Sequence, residues 1–310
     1  MIQKPMDVLA SFPVRKSKRQ KQVFRDAVQS YAQSLGYQCN VEKGSFGSHN
    51  VVLGDPEKAT FLVTAHYDTC AHLPIPNLIT PCNFWTFLAY QLFVTAVMLL
   101  PPVALGILVG VAAQSFDIGY YVGYLFLLAV LVLMMFGPAN KHNANDNTSG
   151  VVTVLEIAAA LPEQLREKVC FVLFDLEEAG LVGSASYRAK HRNAIGSQVV
   201  LNLDCVGDGD YLLLVPTGKL KRNKAAVAFF KKHCVDCGEK SVTLRDKGFS
   251  IYPSDQVNFP YGIGICALRS SKLGLYMGRI HTNRDTILEE ENVKILRNTL
   301  IAMIGDAAAK

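Results

Sequence analysis

Apolar residues in this chain fall into short continuous runs separated by amphipathic stretches. Runs at 60–65, 169–174 and 199–203 predict buried strands, because a strand covered on both faces needs no polar alternation. A run at 50–53 precedes the first of them across the turn residues Gly54, Asp55 and Pro56, and 263–268 predicts a further strand. Helical patterning predicts helices at 18–36, 149–161, 184–191, 222–233 and 290–308, with Gly36 near the end of the first and Pro162 stopping the second. Strands alternating with helices predict an α/β fold with a mostly parallel central sheet and helices on both faces.

One block breaks this pattern. From Phe84 to Ala113 there is no charged residue, and from Ile118 to Gly137 there is none again. Only Gln114, Ser115, Phe116 and Asp117 separate the two runs. A helix of ~20 apolar residues spans the hydrocarbon of a bilayer. The first run exceeds that length and carries Pro101-Pro102, so it is expected to tilt, kink or begin at the interface. Aromatic residues near the ends of the runs, among them Trp85, Tyr90, Tyr120, Tyr121 and Tyr124, fit an interfacial belt. The expectation is a two-helix transmembrane hairpin, residues 81–139, inserted into a discontinuous catalytic domain of residues 1–80 and 140–310. Gly119 and Gly123 form a GxxxG motif that could also drive homo-oligomerisation.

Composition adds little beyond this. Half of the 310 residues are hydrophobic and 18% are charged, an excess that the hairpin block explains. The net charge of +5 owes much to Arg15, Lys16, Lys18, Arg19, Lys21 and Arg25. That run predicts a solvated helix face or contact with anionic headgroups, and no interleaved aromatics point to nucleic acid. The tight turn holds Asp117 and no basic residue, whereas the catalytic side has the basic run and Lys141. Positive flanks favour the cytoplasm, so an integral membrane protein with its catalytic domain on the cytoplasmic side is expected. The N-terminus has no apolar core of a secretory signal. Eight cysteines show no disulfide framework, and Cys234 and Cys237 form a lone CxxC without the second pair that a zinc knuckle needs.

The chemistry lies at the strand ends. His66 follows the run at 60–65, Glu177 and Glu178 follow 169–174, and Asp204 follows 199–203. Ligands in open α/β sheets bind beyond the carboxyl ends of the strands. With Asp146 and His281, these are the imidazoles and carboxylates that hold zinc in open catalytic sites.

The segments AHYD, NDNTSG, EEAGLVGS, NLDCVG and HTNRDT, in that order, resemble the dizinc metallopeptidase family that includes aminopeptidases, glutamate carboxypeptidases and glutaminyl cyclases. The similarity covers about residues 45–80 and 140–300. It implies two zinc ions bridged by Asp146, with Glu178 and His281 completing one set of ligands and His66 and Asp204 the other; cobalt or manganese would also suit such donors. It implies Glu177 as general base toward the activated water, Asp68 as the partner that orients His66, and a cis bond between Asp146 and Asn147. Tyr252 is a candidate donor to the developing oxyanion. Asp285 is expected to order the His281 loop. Gln256 stands where the family usually has histidine in a Ser-Asp-His segment, which puts substrate contacts there in question. His49, His72, His142, His191 and His233 are expected to be surface or packing residues.

The expected function is a membrane-anchored hydrolase of amide bonds, foremost an aminopeptidase on short peptides. The alternative is an amidohydrolase of N-acyl amino acids or other amphiphilic amides at the bilayer surface. A glutaminyl cyclase or an inactive receptor-like relative ranks below both.

Overall fold

The computed structural model describes residues 2–73, 75 and 77–309. Nine strands occur among them: β1 (Cys39–Lys43), β2 (His49–Leu53), β3 (Phe61–His66), β4 (Val169–Phe174), β5 (Val199–Leu203), β6 (Tyr211–Pro216), β7 (Ser241–Leu244), β8 (Gly262–Ser271) and β9 (Gly274–Tyr276). The helices are α1 (Asp7–Ser11), α2 (Lys18–Ser34), α3 (Phe84–Ala112), α4 (Phe116–Phe136), α5 (Gly150–Ala160), α6 (Val182–Lys190), α7 (Arg192–Ile195), α8 (Gly218–Arg222), α9 (Lys224–His233) and α10 (Glu290–Ala308).

The main sheet runs β1-β2-β4-β3-β5-β8-β6-β7, with β9 paired to β8. Its centre, β4-β3-β5-β8, is parallel throughout, so β4, β3 and β5 end on one rim. The margins are mixed: β1, β2 and β6 run antiparallel to a neighbour, whereas β6 and β7 are parallel. Strands β1, β6, β7 and β9 went unpredicted. Three of them are short or partly exposed margin strands, whereas β6 is a buried apolar run bounded by the turn residues 207–210 and Pro216-Thr217-Gly218.

Alternation along the central strands sorts side chains to two faces. Phe61, Val63, Ala65, Phe171 and Leu173 pack against α2, α5 and α10, through residues such as Phe24, Val154 and Leu296. Leu62, Cys170, Val172 and Phe174 pack on the other face with Tyr187 of α6 and Ile195 of α7. Helix α2 begins at a capping box: Ser17 Oγ accepts from the Gln20 amide at 3.2 Å, and Gln20 Oε1 accepts from the Ser17 amide at 2.9 Å.

The basic N-terminal run does not form one solvated face. Lys18 and Arg19 are exposed, but Arg15, Lys21 and Arg25 are buried. Each buried cation has found a partner: Lys21 Nζ lies 2.6 Å from Asp175, and Arg25 donates to the Tyr67 hydroxyl at 2.9 Å. Arg15 donates to the carbonyls of Tyr67 and Phe12 at 2.6 Å each. A buried charge is tolerated when it is paired or hydrogen-bonded, and apart from the Phe12 carbonyl these partners come from distant sequence.

Helices α3 and α4 are long and apolar enough to cross a membrane. Asn83 caps the first and Ser115 the second through their side-chain oxygens. The α3 helix is assigned continuously through Pro101 and Pro102. The GxxxG glycines face inward: a Cβ at Gly119 would lie 2.8 Å from the Cα of Gly110, and one at Gly123 would lie 2.8 Å from the Pro102 carbonyl. Gly119 and Gly123 thus let α3 and α4 approach each other within the hairpin. The two ends of this excursion also meet. Ala71 bridges Ala139, the His72 amide donates to the Pro138 carbonyl at 2.8 Å, and the Leu73 amide donates to the His281 carbonyl at 2.9 Å.

Candidate metal centre

The rim of the parallel sheet gathers the expected residues from five separate segments. His66 ends β3, Asp204 follows β5, and Glu177 and Glu178 lie three and four residues beyond β4. Asp146 lies in the irregular turn that precedes α5, and His281 lies in the loop before α10. Asp146 is central. Its Oδ1 is 3.3 Å from His66 Nε2, and its Oδ2 is 3.0 Å from His281 Nε2. Asp204 Oδ1 lies 3.5 Å from His66 Nε2, and Glu178 Oε2 lies 3.5 Å from His281 Nε2. Ligand atoms of His66, Asp146 and Asp204 form one group within 4.8 Å, and those of Cys70, Asp146, Glu178 and His281 form another. Asp146 belongs to both.

The backbone holds these groups in place. The Asp146–Asn147 bond is cis, as the sequence resemblance implies. Asn147 Oδ1 accepts from the amides of Gly150 and Cys205 at 3.0 and 3.2 Å, tying the Asp146 turn to the Asp204 strand end. Asp285 does more than order its own loop: its carboxylate accepts from the Asn145 amide at 2.7 Å and the Asp146 amide at 3.0 Å. Asp68 is equally engaged. Its backbone carbonyl is 3.3 Å and its carboxylate 3.6 Å from His66 Nδ1, and the same carboxylate accepts from the amides of Glu177 and Glu178 at 3.0 and 3.3 Å. Leu176, Cys205 and His281 have positive φ, a conformation that bulky residues adopt only when their surroundings compel it.

Electrostatically the cluster is rich in carboxylates. Burial raises Glu177 well above the ordinary carboxylate range; His66 opposes the shift, and Glu178 and Asp255 add to it. Burial, then the neighbouring Asp146, brings Glu178 to about 8. For Asp146 burial is outweighed by His281 and His66, which hold it below its usual value. Burial works against a charged His281, but Glu178 and Asp146 raise it to about 9. Glu178 Oε1 is buried with no hydrogen-bond partner. A divalent cation would relieve both the surplus of negative charge and the orphaned oxygen, and imidazole with carboxylate is a zinc donor set. The residues present therefore fit zinc.

Two features depart from expectation. The Tyr252 hydroxyl donates to the Asp204 carbonyl at 2.9 Å and is buried beneath the site, so its proton is already committed. Gln256 is also internal, accepting from Asn202 at 3.1 Å and donating to the Tyr252 carbonyl. Three residues that were not singled out also belong to the surroundings. Arg15 donates to Thr148 Oγ1 at 3.1 Å, two residues from Asp146. Cys70 joins the His281 group. Asp255 is fully buried with both carboxylate oxygens unpartnered, and burial lifts it to about 7. Of these, only the Ser-Asp segment at 254–255 carried a signal in sequence.

An α/β sheet with histidines and carboxylates collected at its carboxyl rim places a zinc donor set where such folds bind their ligands. The sequence model of peptidase family M28 matches residues 131–303, more than half of the chain, and the chain belongs to that family. Solved structures agree in fold. LapA aminopeptidase of Legionella pneumophila is 14% identical over 99% of this chain and 70% of its own, with a TM-score of 0.60. A Zn-dependent exopeptidase from Parabacteroides distasonis is 17% identical over 97% of this chain and 94% of its own, with a TM-score of 0.60. The glutaminyl cyclase of Porphyromonas gingivalis is 16% identical over 96% of this chain and 93% of its own, with a TM-score of 0.59. A comparison with curated proteins found no match.

Proposed function

We propose that the protein is a membrane-anchored dizinc hydrolase that opens amide bonds, foremost as an aminopeptidase on short peptides. The observation that carries this reading is the placement of Asp146, whose two oxygens face His66 and His281 and so suit a bridge between two cations. Glu178 with His281, and Asp204 with His66, would complete the two sets. Zinc bound there supplies Lewis acidity to a carbonyl and lowers the pKa of a water.

The chain's own residues would do the rest. Glu177, held by its amide on Asp68, accepts a proton from the attacking water and returns it to the departing amine. The carbon–nitrogen bond breaks, the water oxygen joins the acyl carbon, and a carboxylate and an amine leave. Asp68 orients His66. Tyr252, with its hydroxyl on the Asp204 carbonyl, would serve as an oxyanion donor only after exchanging that bond.

The hairpin, residues 81–139 by sequence, is read as the anchor, with the catalytic domain formed by 1–80 and 140–310 on the cytoplasmic side. The supports are its two long apolar helices and the basic residues at its base; Lys16 Nζ donates to the Met135 carbonyl at 3.0 Å.

The test is hydrolysis of a panel of aminoacyl, dipeptide and N-acyl substrates by full-length protein with its metal content measured. Glu177→Gln should lower kcat by about 10²- to 10⁴-fold with both metals retained. A well-folded protein that binds no metal would sink the proposal. Metal bound without hydrolysis, together with pyroglutamate formed from N-terminal glutamine, would replace it with a cyclase.

A further inference from the structure

The inner faces of the hairpin do two different things along their length. On α3, positions 94, 98, 102, 106 and 110 recur every four residues and form one stripe. In its outer half, Pro102, Gly106 and Gly110 close against Gly119 and Gly123 of α4. In its inner half both helices line a pocket of about 540 Å³. Val94, Val97 and Met98 line it from α3, and Val130, Leu133 and Met134 line it from α4. Glu178 and His281 line the same cavity, so it is continuous with the candidate metal centre.

This is an unusual place for a void. Facing side chains in a packed helix pair normally fill the seam, and an unfilled apolar cavity is destabilising unless something occupies it. Its walls are predominantly apolar, with His72, Asn77, Tyr90 and Gln91 among the lining residues, and predominantly apolar walls with a few polar groups suit an apolar guest with a polar end. Methionine adapts its shape to flexible guests. Among the described residues lining it, Glu178 is the one carboxylate, and neither lysine nor arginine occurs. An acidic side chain of a peptide would find no lysine or arginine there to pair with. From Tyr90 to Met98 the wall extends over nine residues of helix, about 12 Å. The wall also opens sideways, since Val97 and Leu133 are exposed on helices apolar enough for a bilayer.

We infer that this cavity is a substrate subsite for an unbranched aliphatic chain, and that the amide opened at the metal centre belongs to an amphiphile entering from the membrane. The inference rests on the proposed amide hydrolysis and, among its substrates, favours amphiphilic amides over short peptides. The chain could sit on the acyl side, as in N-acyl amino acids, or on the amine side, as in aminoacyl alkylamides. The chemistry in the cavity is the same in both.

The experiment uses full-length, metal-loaded protein in lipid nanodiscs and two homologous series. These are N-acyl-alanines from acetyl to tetradecanoyl, and alanine n-alkylamides from ethyl to tetradecyl. In one series kcat/KM should climb by about fourfold per methylene until the cavity is full, then level off. Val94→Trp, or Met134→Phe should the first variant fold poorly, should move that plateau to shorter chains. Calorimetry of Glu177→Gln with dodecanoyl-alanine against acetyl-alanine reads occupancy without turnover.

An equal climb in wild type and both variants would reflect partitioning into the bilayer and overturn the inference. So would flat profiles in both series beside turnover of alanine p-nitroanilide, which would leave the amide-hydrolase reading standing. Chain-length-dependent binding to Glu177→Gln without turnover of any substrate would support the subsite and refute the hydrolase.

Discussion

Replacing Asp68 by alanine removes three contacts at once, and their energies can be estimated separately. The carboxylate accepts the amides of Glu177 and Glu178 and faces His66 Nδ1. Leaving a buried amide without an acceptor costs about 1–3 kcal/mol. Glu177 and Glu178 are only partly buried, so water can reach one amide in part, and the lower end applies: about 2–3 kcal/mol for the pair. That is a substantial share of the roughly 5–15 kcal/mol by which a domain is stable. The lost orientation of His66 should weaken metal binding by about 10- to 100-fold. Asp68→Asn keeps the shape and one acceptor oxygen, and should show clearly smaller losses in both measurements. Thermal unfolding of metal-free protein reads the first effect, and zinc titration against a chromogenic chelator reads the second. If Asp68→Ala binds zinc with wild-type affinity, Asp68 does not orient a ligand. If it unfolds at the wild-type temperature, the amide bonds carry no net stability.

The metal-free protein should lose stability as pH rises from 5 to 9. Glu178, raised to about 8, contributes most while protonated, below its unfolded value, and that contribution is lost as pH rises through the folded value. His281, raised to about 9, contributes below its unfolded value and loses the contribution over the same window. Zinc takes the deprotonated forms, so the rise in Tm on adding zinc should be larger at pH 8 than at pH 5.5; an equal rise would argue against these ligands. Arg15→Met should destabilise the protein by at least about 2 kcal/mol in denaturant unfolding, because it strips charged donors from buried carbonyls. Gly119→Leu should separate α3 from α4, and cysteines placed at Gly106 and Gly123 should then crosslink much more slowly than in a Gly119 background. Undiminished crosslinking would mean that the glycine seam does not hold the hairpin together.

Much of this molecule was legible before folding. The run 169–174 is apolar at every position, and 60–65 is interrupted only by threonines, because both faces of the central sheet are covered, and that requirement is written locally. The hairpin was legible for a similar reason: apolarity sustained around every face of two long helices needs no tertiary information. His66, Glu177, Glu178 and Asp204 were legible as ligand-type residues at or just beyond strand ends, whereas Asp146 and His281 were reached through the ordered motifs of the family resemblance.

What tertiary structure decided depends on partners far away in the chain. The N-terminal cations were a uniform run in sequence, yet Arg15, Lys21 and Arg25 turned inward because Tyr67, Thr148 and Asp175 wait there. The Tyr252 hydroxyl was committed by the carbonyl of Asp204, a partner 48 residues away. The GxxxG seam turned toward its own neighbouring helix, because Gly106 and Gly110 arrive opposite it only when the turn at 113–115 closes. The cavity beside Glu178 is assembled from α3, α4 and the loops of Glu178 and His281, which only folding brings together. Periodicity specifies which face of a helix is apolar; only the packed chain decides what that face meets, since contact energies belong to pairs of residues and not to either one alone.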